Sequence, residues 1–208
     1  MDVQSRLYAE RLVRAQTARW KQWLDVQAPY RWNLRRLDPG FTLDIGCGIG
    51  RNLIHLGGNG VGIDVNEHCL RVARDRGFVV FTPDEFERSV DYHAPGRFDS
   101  LLLAHVAEHL GVDETVSLLA RYAGLVRDNG QVILITPQEA GQASDPTHVE
   151  FVDFGKLARI AACVGCRPDR SFSFPLPRWA GRFFAHNEFV VVSTKPAASA
   201  DGPRTAAN

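Results

Sequence analysis

The chain alternates short apolar runs with breaks of glycine, proline and polar residues, and the rhythm of that alternation predicts its elements. Residues 41–45 form one apolar run, which stops at Gly46, Gly48 and Gly50 and resumes as Arg51-Asn52-Leu53-Ile54. A bounded run of this length predicts a buried strand, and the stretch after the glycines predicts a helix starting near Asn52. Gly57-Gly58-Asn59-Gly60 ends that helix and leads into a second strand at 61–64. A helix at 67–76 and a third strand at 78–81 repeat the unit. Residues 98–103 are apolar nearly throughout, as a parallel strand covered on both faces is. They run into His105-Val106-Ala107-Glu108-His109-Leu110, a strand end passing into a helical turn. A helix at 113–125, a turn at Asp128-Asn129-Gly130 and a fifth strand at 131–136, closed by Pro137, continue the alternation. Strands separated by helices predict an α/β fold built on a mostly parallel sheet.

The two ends of the chain break this rhythm. Apolar residues recur at helical spacing over 3–24, through Leu7, Tyr8, Leu12, Val13, Trp20, Trp23 and Leu24, which predicts one or two helices ahead of the sheet. Residues 1–36 carry eight basic side chains against three acids, which suits either a solvated face or contact with phosphates. The turn Asp38-Pro39-Gly40 then opens the core. Beyond the fifth strand, residues 138–147 are mostly small or polar and read as a loop over the strand ends, where open α/β sheets bind ligands. A helix at 154–163 and strands at 171–174 and 188–194 follow, the strands joined by an excursion holding Pro175, Pro177, Trp179, Phe183 and Phe184. Its aromatics suit a sugar-binding or lipid-facing wall, a dimer contact or a satellite core. From residue 197 the composition is that of a disordered tail. The reading is a helical cap at 1–37, one α/β domain at 38–195 and a tail at 196–208.

With 208 residues, 45% hydrophobic and 23% charged, the chain suits one core with appendages. Its formal net charge is +0, so no global field draws in nucleic acid or an anionic membrane, and both are disfavoured as partners. No apolar run reaches membrane-spanning length and the amino terminus lacks a signal-like pattern, so the expected location is cytoplasmic. Cys47, Cys69, Cys163 and Cys166 include a single Cys-x-x-Cys with no second pair to complete a zinc site, and are read as reduced thiols.

Glycine at three alternate positions after a strand lets the backbone turn sharply and approach a ligand without a Cβ between them. The acid that ends the second strand, Asp64, suits the two hydroxyls of a ribose. Asp44 to Gly50, read as an acid, an apolar residue and Gly-x-Gly-x-Gly, resembles the class I S-adenosylmethionine (SAM)-dependent methyltransferases. A dinucleotide-binding fingerprint would place its third glycine where this chain has Arg51. The resemblance implies a Rossmann-like seven-stranded sheet, the last strand antiparallel, with a helical amino-terminal segment closing over the cofactor. It also implies that Asp44, Gly46, Gly48 and Gly50 lie against the methionine part of SAM and that Asp64 holds the ribose. Asp84, in Thr82-Pro83-Asp84, falls where the family contacts the adenine, or else belongs to an ordinary turn and helix cap. Tyr30-Arg31-Trp32 could reach the SAM carboxylate or the substrate, with Arg31 as the carboxylate's partner because its fork binds two oxygens at once.

SAM carries an electrophilic methyl group, so the protein must align a nucleophile with it and, for an alcohol, remove a proton by a general base, a metal ion or both. His105, Glu108 and His109, at i, i+3 and i+4, share one face of the turn after the fourth strand. Two metal-dependent branches of the family carry Glu-x-x-Glu-His at this place: the ubiquinone-pathway O-methyltransferases and the small-RNA 2′-O-methyltransferases, the latter adding a later histidine. Here Glu108-His109 match the last two positions, His105 replaces the first Glu, and His148 stands for the later histidine. The resemblance thus implies a Mg²⁺ or Mn²⁺ ion on Glu108, His109 and His148, with His105 as a fourth ligand or a cofactor contact and His148 as the candidate base. Mg²⁺ prefers oxygen donors, so the exchange of Glu for His counts against it. Alternatively, Glu108 and His109 only tie the strand end to the next helix.

A polar histidine and carboxylate site suits adjacent hydroxyls and the neutral charge disfavours RNA, so the expected acceptor is a small sugar or oligosaccharide. Pro29-Tyr30-Arg31-Trp32, Asp145-Pro146-Thr147-His148 and the arginine-rich composition resemble actinobacterial sugar methyltransferases, those acting on mycobacterial methylmannose polysaccharide among them. A quinone or phenolic precursor and the 2′-hydroxyl at an RNA 3′ end are the competing acceptors. A SAM-fold scaffold without catalysis would show a damaged glycine motif or an apolar end to the fourth strand, and neither is present. Homodimer formation is a further expectation, through the aromatic excursion.

Overall fold

The computed structural model of the chain describes residues 25–197. The amphipathic stretch read at 3–24 and the tail read from 198 onward lie outside the described residues. In chain order the elements are α1 (Ala28–Arg36), β1 (Thr42–Ile45), α2 (Arg51–His55), β2 (Gly60–Ile63), α3 (Glu67–Asp75), β3 (Val80–Phe81) and α4 (Pro83–Glu87). Then come β4 (Phe98–Ala104), α5 (Ala107–Leu110), α6 (Val112–Tyr122), β5 (Val126–Pro137), α7 (Glu139–Ser144), α8 (Phe154–Cys163), β6 (Arg167–Phe174) and β7 (Glu188–Thr194), with single 3-10 turns at Ala123–Leu125 and Arg178–Arg182. The strands form one seven-stranded sheet in the order β3-β2-β1-β4-β5-β7-β6. β7 inserts between β5 and β6 and runs antiparallel to both, so the last strand is reversed as the glycine motif implied.

The apolar runs sort to two faces because successive strand residues point to opposite sides. Leu101 and Leu103 of β4 join Leu43, Ile45 and Leu134 in the larger core, together with Leu119 of α6 and Leu157 and Ile160 of α8. Leu102 and Ala104 of the same strand face the other way, onto Leu34 of α1 and the adjoining Leu37. Burying one such leucine contributes about 1.5–3 kcal/mol, enough for two of them to seat a short helix. Arg36 fastens it further: its guanidinium lies 4.6 Å over the Trp32 ring and 4.8 Å over Phe172 of β6. Gln131 Nε2 donates to Leu37 O at 3.1 Å, closing the join from the centre of the sheet.

Several segments depart from the sequence reading, β6 among them, since it begins at Arg167 rather than 171. Residues 138–147 contain a helix, α7, whose Glu139 is clasped by both terminal nitrogens of Arg178 at 2.8 and 2.5 Å. Gly141 within it lies against Ala185 O, where a Cβ would stand 2.5 Å away, so a small residue marks a close approach rather than a loop. β5 begins at Val126 instead of 131, because the Asp128-Asn129-Gly130 turn is a bulge inside the strand: Phe98 pairs with Val126 and Ser100 with Gln131. β3 keeps only Val80–Phe81, since Phe78 N donates to Ala73 O and closes α3 instead. All four cysteines are free, and no helix among the described residues is long and apolar enough to cross a membrane.

Candidate active site

The glycine turn leaves the carboxyl end of β1, at the middle of the sheet. Gly46 N and Cys47 N both donate to Ile63 O, at 2.8 and 3.0 Å, which folds the turn across the end of β2. Gly46, Gly48 and Gly50 stand at φ 75, 53 and 80. A Cβ on Gly46 would overlap Val106 Cγ2, so a neighbouring side chain fixes this glycine as firmly as any ligand. Gly48 N donates to Asp64 Oδ2 and Asn66 N to Asp64 Oδ1, both at 2.8 Å. These amides hold Asp64 beside the turn, although burial outweighs them and raises its pKa.

Asp44, within β1, is fully buried; its Oδ1 accepts from Asn52 Nδ2 at 3.1 Å, and its Oδ2 has no donor among the described residues. Burial, partly offset by Asn52 and Arg51, raises its pKa to about 7. Asp84 is exposed on α4, and Thr82 caps that helix by a reciprocal pair of bonds with Glu85, which is the turn-and-cap alternative. Val65, which the sequence reading passed over, is an apolar side chain left 53% exposed directly after Asp64.

A chamber of about 370 Å³ opens between α1, α2 and the adjoining ends of β4, β5 and β7. Tyr30 and Asn33 of α1, Arg51 and His55 of α2, and His105 and Glu188 from the sheet ends contribute to its wall. The Tyr30 hydroxyl donates to His186 O at 2.7 Å, joining the amino-terminal helix to the segment before β7. Arg31, the expected carboxylate partner, is not brought to this wall. It pairs with Asp25 at 2.6 Å and lies with Trp32 and Arg35 on another face of α1, because adjacent helical residues point in different directions. The guanidinium in the wall belongs to Arg51, directly after the glycine turn. His55 is 5% exposed, and burial, with Arg51, Arg31 and Arg35 around it, lowers its pKa to about 4 and keeps it neutral.

His105 follows β4 directly, in the left-handed region at φ 59, and bridges two carboxylates from distant parts of the chain. Its Nε2 lies 2.8 Å from Glu188 Oε1 and its Nδ1 3.3 Å from Glu108 Oε1. Burial alone would favour the neutral ring, but Glu108 and Glu188 outweigh it and raise the pKa to about 9. His105, expected as a fourth ligand or a cofactor contact, is turned to these two carboxylates and falls outside the cluster formed by Glu108, His109 and His148.

Glu108 is completely buried, and neither of its oxygens has a hydrogen-bond donor among the described residues; the contact with His105 is an ion pair without hydrogen-bond geometry. His109 Nδ1 lies 3.2 Å from Thr147 O and His148 Nδ1 2.9 Å from Gln142 O. A carbonyl only accepts, so each Nδ1 donates, and the tautomer these bonds select leaves the lone pair on Nε2. Ligand atoms of Glu108, His109 and His148 lie within 4.8 Å of one another. The fold therefore assembles three of the four expected metal-site residues, with His105 standing between Glu108 and the Glu188 wall of the chamber.

Residues 43–132 match the family model described as a methyltransferase domain. No curated protein matches the chain. Among solved structures, a SAM-dependent methyltransferase from Archaeoglobus fulgidus is similar with a TM-score of 0.63 at 20% identity, over 80% of this chain and 93% of that one. A putative methyltransferase in complex with the Haloferax volcanii Trm112 methyltransferase activator gives 0.64 at 16% identity, over 88% and 96%. Magnesium protoporphyrin IX methyltransferase from Synechocystis, solved with S-adenosylhomocysteine (SAH), gives 0.58 at 16%, over 82% and 85%. At these identities the likeness is one of fold, and it agrees with the methyltransferase-domain match over residues 43–132.

Proposed function

We propose that the chain is a SAM-dependent O-methyltransferase that acts on a hydroxyl of a small sugar or oligosaccharide. The observation that carries this reading is the junction at His105, where a chamber beginning beside the glycine turn meets a histidine and carboxylate array suited to orienting and deprotonating an alcohol. The residues present fit SAM: Asp64 is presented at the turn, and the buried Asp44 Oδ2 lacks the donor that an ammonium group would supply. When bound, SAM supplies the electrophilic methyl group. The glycines allow the backbone to close on the methionine part, Asp64 accepts from the ribose hydroxyls, and Val65 offers an apolar face to the base. Asn33, Tyr30 and Glu188 line the chamber with hydrogen-bonding groups, which favours a polyhydroxylated acceptor over a planar phenol.

Glu108, His109 and His148 would hold a divalent ion through one carboxylate and two Nε2 atoms. The ion would acidify the acceptor hydroxyl. Two imidazoles and a single carboxylate suit Mn²⁺ or another nitrogen-tolerant ion better than Mg²⁺. Without an ion, the Nε2 lone pairs of His148 and His109 are the candidate bases in this group. Incubation of the protein with labelled SAM and separate sets of mannosides, polyphenols and short RNAs tests the reading. Transfer to a mannoside is expected; transfer only to RNA or only to a phenol overturns the sugar acceptor, and a protein that binds no SAM overturns the whole reading.

A further inference from the structure

We propose that Asn33 and Glu188 form a recognition pair for a second, unreacting hydroxyl of the acceptor, which restricts the enzyme to neutral polyols. This rests on the glycoside reading above and adds to it the groups by which the acceptor is chosen.

Asn33 is 2% and Glu188 8% exposed, and both lie in the wall of the chamber. They reach it from different elements. Asn33 belongs to α1, one turn after Tyr30, whose hydroxyl donates to His186 O and so ties that helix to the segment before β7. Glu188 opens β7. Each of the two side chains has one end already committed. Arg36 Nε donates to Asn33 Oδ1 at 3.0 Å, and because a guanidinium only donates, this bond fixes which end of the amide is oxygen. Asn33 Nδ2 is left with no acceptor among the described residues. Glu188 Oε1 is held 2.8 Å from His105 Nε2, and its Oε2 has no donor among the described residues. Neither atom is sealed from solvent, so the chamber wall presents one fixed donor and one fixed acceptor.

What this pair reads follows from its chemistry. A hydroxyl both donates and accepts, so it satisfies Glu188 Oε2 and Asn33 Nδ2 together. An ammonium group has no lone pair for Nδ2. A carboxylate has no hydrogen for Oε2 and meets a like charge there. The oxygen that attacks the methyl group needs its electron density, which a donor such as Nδ2 draws away. The hydroxyl held by the pair is therefore a neighbour of the one that reacts.

Label transfer from SAM to methyl α-mannoside and its monodeoxy analogues tests the pair, with SAH calorimetry as the control for folding. In wild type, removing the recognised hydroxyl should raise KM by about 10- to 100-fold, the range for a hydrogen bond to a charged group, and change kcat less. Glu188→Gln should raise KM as far for the complete glycoside and by less than about twofold for that deoxy analogue, whose partner group is already gone. Asn33→Asp still accepts from Arg36 but turns the donor into a second acceptor. An amino group in place of the recognised hydroxyl, the poorer acceptor for wild type, should then become the better one. SAH affinity should stay within about twofold in both variants. If wild type takes every monodeoxy analogue within about twofold of the parent, or if Glu188→Gln slows all of them equally, the inference is overturned while the glycoside reading stands. If wild type labels no glycoside, that reading fails and this inference with it.

Discussion

Replacing Asp44 by Asn tests the electrostatics at the centre of the sheet. The carboxyl is fully buried and titrates near 7 in the folded protein, against an ordinary value of 3.8. Between those limits the folded state keeps the proton and the unfolded chain has released it, so ligand-free protein loses stability as pH rises through this window. At roughly 1.4 kcal/mol for each pH unit the full effect is about 4 kcal/mol, of which ~3 kcal/mol falls between pH 4.5 and pH 8. Asn preserves the shape and still accepts from Asn52, but brings no charge to bury. Its NH₂ inherits the donorless position of Oδ2, a penalty of about 1–3 kcal/mol that does not depend on pH. Urea unfolding of both proteins at the two pH values cancels that constant. The stability difference should move toward the variant by ~3 kcal/mol from pH 4.5 to pH 8, equivalent to about 6–12 °C in Tm for a chain of this size. SAH should reverse the ranking at pH 8, because its ammonium group compensates the carboxylate in wild type and has no charged partner in the variant. A difference constant with pH to about 0.5 kcal/mol would refute the argument.

Gly46→Ala places a methyl against Val106 and holds Ala at positive φ, and should destabilise the fold by about 1–3 kcal/mol in urea titrations. Adding Val106→Ala should recover the steric part only; full recovery would mean that backbone conformation plays no role. One Mn²⁺ per chain should bind by calorimetry, and His109→Ala or His148→Ala should weaken it by at least about tenfold, the scale on which even outer partners count. Equal binding in wild type and both variants would remove the ion from Glu108, His109 and His148. Arg31→Gln should leave SAH affinity within about twofold, since the side chain is paired with Asp25 away from the chamber; a loss of about tenfold or more would show that α1 turns its other face inward.

The sheet was legible because its strands are short apolar runs set off by glycine and proline, and the 188–194 strand, Glu-Phe-Val-Val-Val-Ser-Thr, was placed to the residue. α7 was not legible, because the small residues at 139–144 are there for the approach of Ala185, a contact the local sequence does not announce. At the site, the glycine turn and Asp64 are linked by local spacing and could be read together. Placing Arg31 away from the chamber required the phase of α1 on the sheet, which is set by Leu34 and Leu37 packing under the helix. Spacing put Glu108 and His109 on one face and only the family resemblance added His148, whereas the bridge from His105 to Glu188 spans 83 positions and left no mark on either segment.

The bond from Tyr30 to His186 joins groups 156 residues apart, and β7, which follows it, is threaded between two strands already made. During synthesis the glycine turn, α2 and Asp64 are all complete long before the chamber has its far wall. β6 has no neighbour to pair with until β7 arrives, because β7 alone separates it from β5. A chain ended at residue 187 would keep every motif residue of the first two strands and lack Glu188, the group that fixes His105 from the chamber side. The chamber is thus the last feature of the fold to be completed, and its far wall exists only once the final strand has been inserted.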